Sequence, residues 1–148
     1  MSLEETNTHT MLQFDWEEVK ETPIQGVRSL GQRSVKDGSL DCESIAFVLD
    51  GRAVVLAVNI DTDEITVTLN DTSATDQWTD IPSLSYMRGR MLGWCWVGIN
   101  SQGYKDAFTI ALVDVVNWPT TVSALQPRLM FLAEGSSLTC LELTPHCR

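Results

Sequence analysis

The stretch MLGWCWVGINSQGYKDAFTIALVDVV, residues 91–116, decides the fold class because it is the longest apolar run of the chain. In residues 91–99 both alternating sets of side chains are mostly apolar, and two of the five tryptophans lie among them. Glycines with aromatic and β-branched neighbours favour a strand over a buried helix in so short a run. A strand with two apolar faces is expected to be buried on both sides.

A polar turn divides this stretch into two strands. Residues 100–103 are polar and end in Gly103, which can adopt a positive φ without steric cost. Beyond the turn the apolar pattern resumes, with Phe108 and Ile110 sharing one face of an extended chain. We therefore predict a long antiparallel hairpin at the centre of the sheet.

Further hairpins are predicted on both sides of this central one. Residues 45–49 and 52–58 are apolar runs around the pair Asp50-Gly51, which is a strong hairpin signal. Residues 64–69 alternate strictly between apolar side chains and threonine, so one face of that strand is expected to meet water. The three strands predict a meander over residues 43–69.

The last hairpin is predicted over residues 129–133 and 138–143, around a Gly-Ser-Ser turn. The whole chain then contains about eight strands joined mostly by short turns, which indicates antiparallel pairing. We predict a mostly β domain: an antiparallel meander forming a strongly curved sheet or a small barrel. In the polar segment before residue 82, Trp78 is expected to fold back over the core edge or to contribute to a binding rim.

The amino-terminal part is predicted to contain a disordered arm and one short helix. Residues 1–10 are polar and are expected to be disordered, which leaves residues 11–148 as a single domain. Leu12, Trp16 and Val19 recur at helical spacing before Pro23, although a strand is the competing interpretation. In the helix, Trp16 would anchor the segment on the sheet.

Charge and composition exclude several classes of protein. The chain has 148 residues and a formal net charge of −10, which argues against nucleic-acid binding because that depends on phosphate neutralisation by Lys and Arg. No apolar run has transmembrane length, and the amino terminus lacks the layout of a signal peptide, so we expect a cytoplasmic protein that does not interact with membranes. An acidic surface could instead steer the protein towards a basic protein partner.

No catalytic constellation is apparent. The two histidines, His9 and His146, lie near the termini, and no nucleophile has a base beside it in sequence. The cysteines at positions 42, 95, 140 and 147 show no metal-ligand spacing; three lie in apolar stretches and are expected to be buried, and Cys147 is expected to be exposed and reactive. We expect no catalytic residue, no metal and no cofactor, and therefore no enzyme.

Residues 59–64 come closest to a metal loop, because oxygen-bearing side chains alternate there as in calcium loops. The sixth position is Glu64, where a calcium loop of that type needs glycine, and the twelfth is Asn70, where it needs glutamate. We therefore interpret this segment as a solvated acidic turn between two strands.

The tip of the central hairpin is the candidate binding site. If the apolar faces curl into a barrel mouth, aromatic walls and varied polar groups there suit a small ligand. The candidate residues are Trp94, Trp96, Asn100, Gln102, Tyr104 and Asp106. The alternative is purely structural: Asn100 and Gly103 make the turn, and Tyr104 staples the strand pair.

The run Asn-Ser-Gln-Gly-Tyr-Lys-Asp at residues 100–106, followed by an apolar strand and the Gly-Ser hairpin at residues 134–139, resembles a family of small bacterial β-rich proteins known only as a domain of unknown function. The resemblance covers roughly residues 24–144. It implies a β-rich fold and brings no activity with it.

Two functional hypotheses follow from the sequence. The first is a protein-interaction module whose acidic surface meets a basic partner, in the way that immunity proteins neutralise toxins. The second is a small-molecule-binding barrel with its pocket near the central hairpin. A homodimer is also expected, because the strand at residues 138–143 carries little edge protection.

Overall fold

A computed structural model describes residues 11–31, 40–113, 127–134 and 137–143. Short 3-10 helices occupy Trp16–Glu18, Thr72–Thr75 and Pro82–Met87. The strands found in these residues are β1 (Gly26–Leu30), β2 (Leu40–Cys42), β3 (Ser44–Val48), β4 (Arg52–Asn59), β5 (Glu64–Asp71), β6 (Thr79–Asp80), β7 (Met91–Gly98), β8 (Ala107–Val113), β9 (Pro127–Glu134) and β10 (Ser137–Glu142). The protein is therefore mostly β, as predicted.

The first sheet has the order β5-β4-β3-β1-β6, and all its pairings are antiparallel. It contains the predicted meander, since β3, β4 and β5 are consecutive neighbours. Gly51 has a φ of +74° in the β3–β4 turn, where the N–H of Leu49 donates to the carbonyl of Arg52 at 2.7 Å. Ile65 and Val67 of β5 are buried, while Thr66 between them is half-exposed. The predicted alternation of this strand is confirmed.

The second sheet has the order β2-β10-β9-β8-β7 and is also antiparallel. Only Glu43 separates β2 from β3, and its N–H donates to the carbonyl of Leu30 in the first sheet at 2.8 Å. The chain thus changes sheets at this residue. The prediction of one meander of about eight strands is wrong, because alternation along the chain identifies strands but not their partners.

The hydrophobic core lies between the two sheets. Phe47 of β3 and Phe131 of β9 are almost fully buried and meet edge to face, with ring centroids 5.9 Å apart. One continuous cluster joins inward-facing side chains of both sheets. Burying each such ring is worth about 1.5–3 kcal/mol, so apolar packing holds the sheets together. Within the described residues both sheets are open, and the predicted small barrel is wrong.

Trp78 covers the outer face of the first sheet. It is half-buried and packs against Ala46, Ala53 and Val55, which form a small separate cluster. The side chain therefore folds back onto apolar residues as expected, but onto the outside of the sheet rather than the edge of the main core.

The hairpin of β7 and β8 forms as predicted, but it is not central. In the second sheet β7 is the outermost strand, and Trp94 and Val97 are 41% and 43% exposed. The register shifts between Leu92 and Cys95, so two residues of β7 lie opposite one residue of β8. Such a bulge reverses the alternation of side chains, which is why the two apolar faces did not mean burial on both sides.

The predicted amino-terminal helix is also wrong. Residues 16–18 form a single 3-10 turn, capped by the Asp15 side chain, and Leu12 bridges to Val67 of β5. Trp16 nevertheless anchors this segment. It is 6% exposed, and its indole N–H donates to the carbonyl of Gly93 at 2.8 Å.

The edge predicted at residues 138–143 is largely covered. β10 lies between β9 and β2, so the predicted edge position of this strand is wrong, and the homodimer stays a prediction. The expected disorder of residues 1–10 and the exposure of Cys147 concern positions outside the described residues. Across the residues that are described, no helix combines the length and apolar character needed to cross a membrane.

Candidate functional site

The tip of the β7–β8 hairpin is organised by the side chain of Asn100. Its Oδ1 accepts hydrogen bonds from the backbone N–H groups of Gln102 at 2.8 Å and Tyr104 at 3.1 Å. Its Nδ2 donates to Oδ2 of Asp106 at 3.0 Å. Gly103 has a φ of +91°, as the predicted turn requires. The structural interpretation of Asn100 and Gly103 as turn residues is confirmed.

The β4–β5 turn, residues 60–63, is built in a similar way. Oδ1 of Asn59 accepts from the N–H of Asp61 at 2.9 Å, and the Asn59 carbonyl accepts from the N–H of Asp63 at 2.7 Å. Asp63 has a φ of +57°, a left-handed conformation that Asp and Asn tolerate better than most residues. The segment is an exposed acidic turn, as predicted.

Hydrogen bonds that involve backbone groups bring these two loops together. The N–H of Ile65 donates to the carbonyl of Lys105 at 3.0 Å, and the N–H of Lys105 donates to Oε2 of Glu64 at 3.0 Å. The carbonyl of Asp106 accepts from the N–H of Ala133 in β9 at 3.0 Å. The hairpin tip is therefore fixed to both sheets.

A cavity of about 460 Å³ lies between the loops. It is lined by Asp61, Thr62, Asp63, Asn100, Tyr104, Asp106 and Ala133. We call it the acidic cavity. Its volume lies within the range of small-ligand sites, roughly 300–1,000 Å³.

Although Lys105 precedes Asp106 in sequence, the carboxylates of the acidic cavity form no ion pair with a Lys or Arg of the described part of the chain. The ion pairs formed there involve other carboxylates, all remote from this site: Glu17, Glu18, Asp76 and Asp80. Negative charge without an ion-pair partner favours a cationic occupant. Tyr104 is 48% exposed and offers an aromatic ring to such a cation.

The structure brings together three of the six predicted binding residues, Asn100, Tyr104 and Asp106. Gln102 is exposed at the tip but does not line the cavity, and neither does Trp94 or Trp96.

The two tryptophans lie further along β7. Trp94 stacks under the ammonium of Lys20, 4.9 Å from the ring centroid, and Trp96 is half-buried opposite Thr109. The bulge between Leu92 and Cys95 accounts for part of this difference, because it changes which side of the sheet each side chain occupies.

Asp61, Thr62 and Asp63 were not predicted as partners of the hairpin tip. Their alternating polar side chains indicated an acidic turn, and nothing local in the sequence linked that turn to residues 100–106. Among the described residues, no group of three or more His, Cys, Asp or Glu side chains is placed to hold a metal ion.

The described cysteine thiols are poorly suited to nucleophilic chemistry. Burial is the largest cause that raises the pKa of Cys42 and of Cys140 to about 12 and that of Cys95 to about 11. A thiol with such a pKa is almost entirely protonated at neutral pH, and the thiolate is the reactive form.

Fold and site together define a two-sheet antiparallel β domain with an acidic cavity at one end. The chain belongs to a family of unknown function (DUF6334), whose model matches residues 8–146. The match confirms the resemblance noted from the sequence. No curated protein and no solved structure matches the chain.

Proposed function

We propose that this protein is a binding module that receives a positively charged side chain, Lys or Arg, of a partner protein in the acidic cavity. One observation carries the proposal. Asp61, Asp63 and Asp106 come from two separate loops, line one cavity, and have no cation paired with them in the described residues.

Charge favours association with a basic protein. The net charge of −10 gives a long-range attraction that raises association rates, and the cavity concentrates part of that charge at one point. Two unit charges 4 Å apart attract by about 1 kcal/mol in water and about 4 kcal/mol at a partly shielded protein surface. The carboxylates that line the cavity therefore attract a cationic side chain that approaches this part of the surface.

Exposed apolar side chains beside the cavity favour a protein over a free ion. Ile60 is 73% exposed and Ile99 is 62% exposed, and each is adjacent in sequence to a residue that lines the cavity. Large exposed apolar groups next to a polar site are typical of protein interfaces. A metal ion alone would leave both isoleucines in water.

A free small cation such as a polyamine is the competing occupant, because the cavity volume is large enough to hold one. Ala133 and the ring of Tyr104 are the apolar groups that line this cavity, so an apolar small molecule would find few contacts. The two occupants differ in their need for Ile60 and Ile99, which a polyamine would not cover.

The test compares a peptide containing one arginine with the same peptide containing citrulline, which keeps the shape and removes the charge. We expect the arginine peptide to bind more tightly and to weaken as salt increases, because exposed charges are screened over about 10 Å at 0.1 M ionic strength. Equal binding of both peptides would contradict the proposal. Tighter binding of spermidine than of the arginine peptide would identify a small cation as the occupant of the cavity.

Variants of single carboxylates give the matched comparison. Asp63→Asn keeps a side chain that tolerates the left-handed backbone, and Asp106→Asn keeps the size of the group bonded to Asn100. Each is expected to weaken binding about two- to fivefold, the effect of one exposed ion pair. The control is Asp50→Asn, which removes the same charge in the β3–β4 turn and keeps a favoured turn pair.

A further inference from the structure

A second cavity, of about 320 Å³, lies on another part of the molecule and shares no lining residue with the acidic cavity. It is bounded by β1, the end of β3 and the segment that contains the 3-10 helix Pro82–Met87. We call it the β1 cavity. With about 30 Å³ for each water-sized group, it has room for about ten non-hydrogen atoms.

The walls of the β1 cavity are held in place by backbone hydrogen bonds at both ends. The N–H of Ile81 donates to the carbonyl of Val27 at 3.0 Å, and the N–H of Gly89 donates to the carbonyl of Ile24 at 2.9 Å. The cavity is therefore part of the folded framework, and a ligand would find it preformed.

One side of the β1 cavity is apolar. Pro82 is exposed and contributes to it together with Val48, which is 6% exposed. The Ile81 side chain packs in the main core, so this residue lines the cavity without offering it an apolar surface. A Cβ added to Gly26 would meet no atom within 4 Å, so the space above this glycine is open. These features suit the apolar body of a small molecule.

The two arginines of the β1 cavity differ in their pairing. The guanidinium of Arg28 lies 3.6 Å from the carboxylate of Asp80 and 4.0 Å from that of Asp76, so its charge is largely balanced. Arg88 donates from Nε to the carbonyl of Gln25 at 3.0 Å, and no carboxylate pairs with it among the described residues. The guanidinium group is oriented by a neutral carbonyl, so its positive charge remains available to an anionic ligand.

We propose that the β1 cavity binds a small organic monoanion: a carboxylic acid with an apolar body, its carboxylate on Arg88 and its body against Pro82 and Val48, in the open space above Gly26. Guanidinium and carboxylate match in geometry, and their charge-assisted hydrogen bonds are about twice as strong as neutral ones. Ser85, which also lines the cavity, supplies a hydroxyl donor.

A monoanion fits better than a phosphate dianion. Asp80 lines the same cavity and the whole chain carries −10, so each additional negative charge on a ligand is opposed. The apolar wall offers a phosphate nothing, whereas it contributes to binding of an apolar acid.

The experiment titrates the full chain with benzoate and follows the backbone amide resonances by NMR. We expect the largest shifts at Gly26, Ser85 and Arg88. Benzamide, which has the same ring without the charge, and inorganic phosphate, which has charge without an apolar body, are each expected to bind at least about tenfold more weakly.

Two variants separate the contributions of charge and space. Arg88→Met should weaken benzoate binding about tenfold or more, because the removed contact is a charge-assisted hydrogen bond. Gly26→Val should weaken it to a similar extent by filling the open space, while Arg88 stays in place. The control is Arg52→Met, which removes an arginine paired with Glu18 at 3.5 Å and should change benzoate affinity less than twofold.

Each of the following results would overturn the proposal. Absence of benzoate binding, or shifts centred elsewhere, removes the site. Phosphate binding as tight as benzoate binding, with no effect of Gly26→Val, means that Arg88 attracts any anion and that the cavity plays no part. The amide spectrum of each variant shows whether it is folded, and the outcome is read from folded variants.

Discussion

Trp16→Phe offers the sharpest test of how the amino-terminal segment is attached to the second sheet. The indole N–H of Trp16 donates to the carbonyl of Gly93 inside the β7 bulge, and its ring meets that of Phe108 edge to face at 5.9 Å. The substitution keeps an aromatic ring and removes the donor. The Gly93 carbonyl then loses its partner in a buried place.

The magnitude follows from two contributions. A buried carbonyl left without its donor costs about 1–3 kcal/mol. The smaller ring loses about 1–2 kcal/mol of apolar burial and packing. We therefore expect Trp16→Phe to lower the free energy of unfolding by about 2–5 kcal/mol, and with an m-value of about 2 kcal/mol/M the urea midpoint falls by roughly 1–2.5 M.

The assay is urea unfolding followed by far-ultraviolet circular dichroism, which does not depend on the tryptophan that is replaced. Trp94→Phe is the matched control, because it makes the same substitution at a side chain that is 41% exposed. Its loss should stay below about 1 kcal/mol, since it gives up only an exposed cation–π contact with Lys20. Equal losses in the two variants would refute the anchoring role of the indole hydrogen bond.

Three further predictions concern thiols, a tyrosine and self-association. Because burial raises the pKa of Cys42 and Cys140 to about 12, iodoacetamide at pH 8 should alkylate them only after unfolding, as read by mass spectrometry; rapid labelling of the folded chain would contradict this. Burial and the Glu142 carboxylate raise the pKa of Tyr86 to about 12, so folding favours the neutral phenol. The stability that this shift contributes is complete below pH 10 and is lost as the pH rises through 12. Absorbance titration at 295 nm should show a late ionisation step that Tyr86→Phe removes. If copies of the chain pair along the outer edge of β7, Val97→Lys should abolish concentration-dependent sedimentation, and a wild type that sediments as a monomer at all concentrations refutes the dimer.

The sequence predicted the local elements best where side chains and turn chemistry agree. The Asp50-Gly51 pair demanded a tight turn between two apolar runs, and the threonines of β5 marked its exposed face. The turn at Asn100 was also foreseen. Each of these features depends on neighbours in sequence, so it can be found without the partners of the strands.

Sheet order and burial of β7 depend on contacts that no local pattern contains. An apolar edge strand and an apolar central strand have the same composition, and the bulge near Trp94 changes the faces without any charge or proline to mark it. The sequence also gives no sign of the change of sheet at Glu43, because a single residue separates two strands that have different partners.

The same reasoning explains the candidate site. Asn100, Tyr104 and Asp106 were selected from one hairpin, where varied polar groups stand together in sequence. Their meeting with the β4–β5 turn depends on the hydrogen bond between the Ile65 N–H and the Lys105 carbonyl. Backbone groups are alike at every residue, so sequence could not predict that contact.

The most direct measurement is an NMR titration of the full chain with N-acetylarginine amide, read for the location of the amide shifts. The acidic cavity predicts that shifts cluster at residues 61–63 and 100–106, and that they shrink when the ligand is N-acetylcitrulline amide. Shifts spread evenly over acidic residues of the surface, or unchanged by the loss of ligand charge, would contradict a specific cationic site in this cavity.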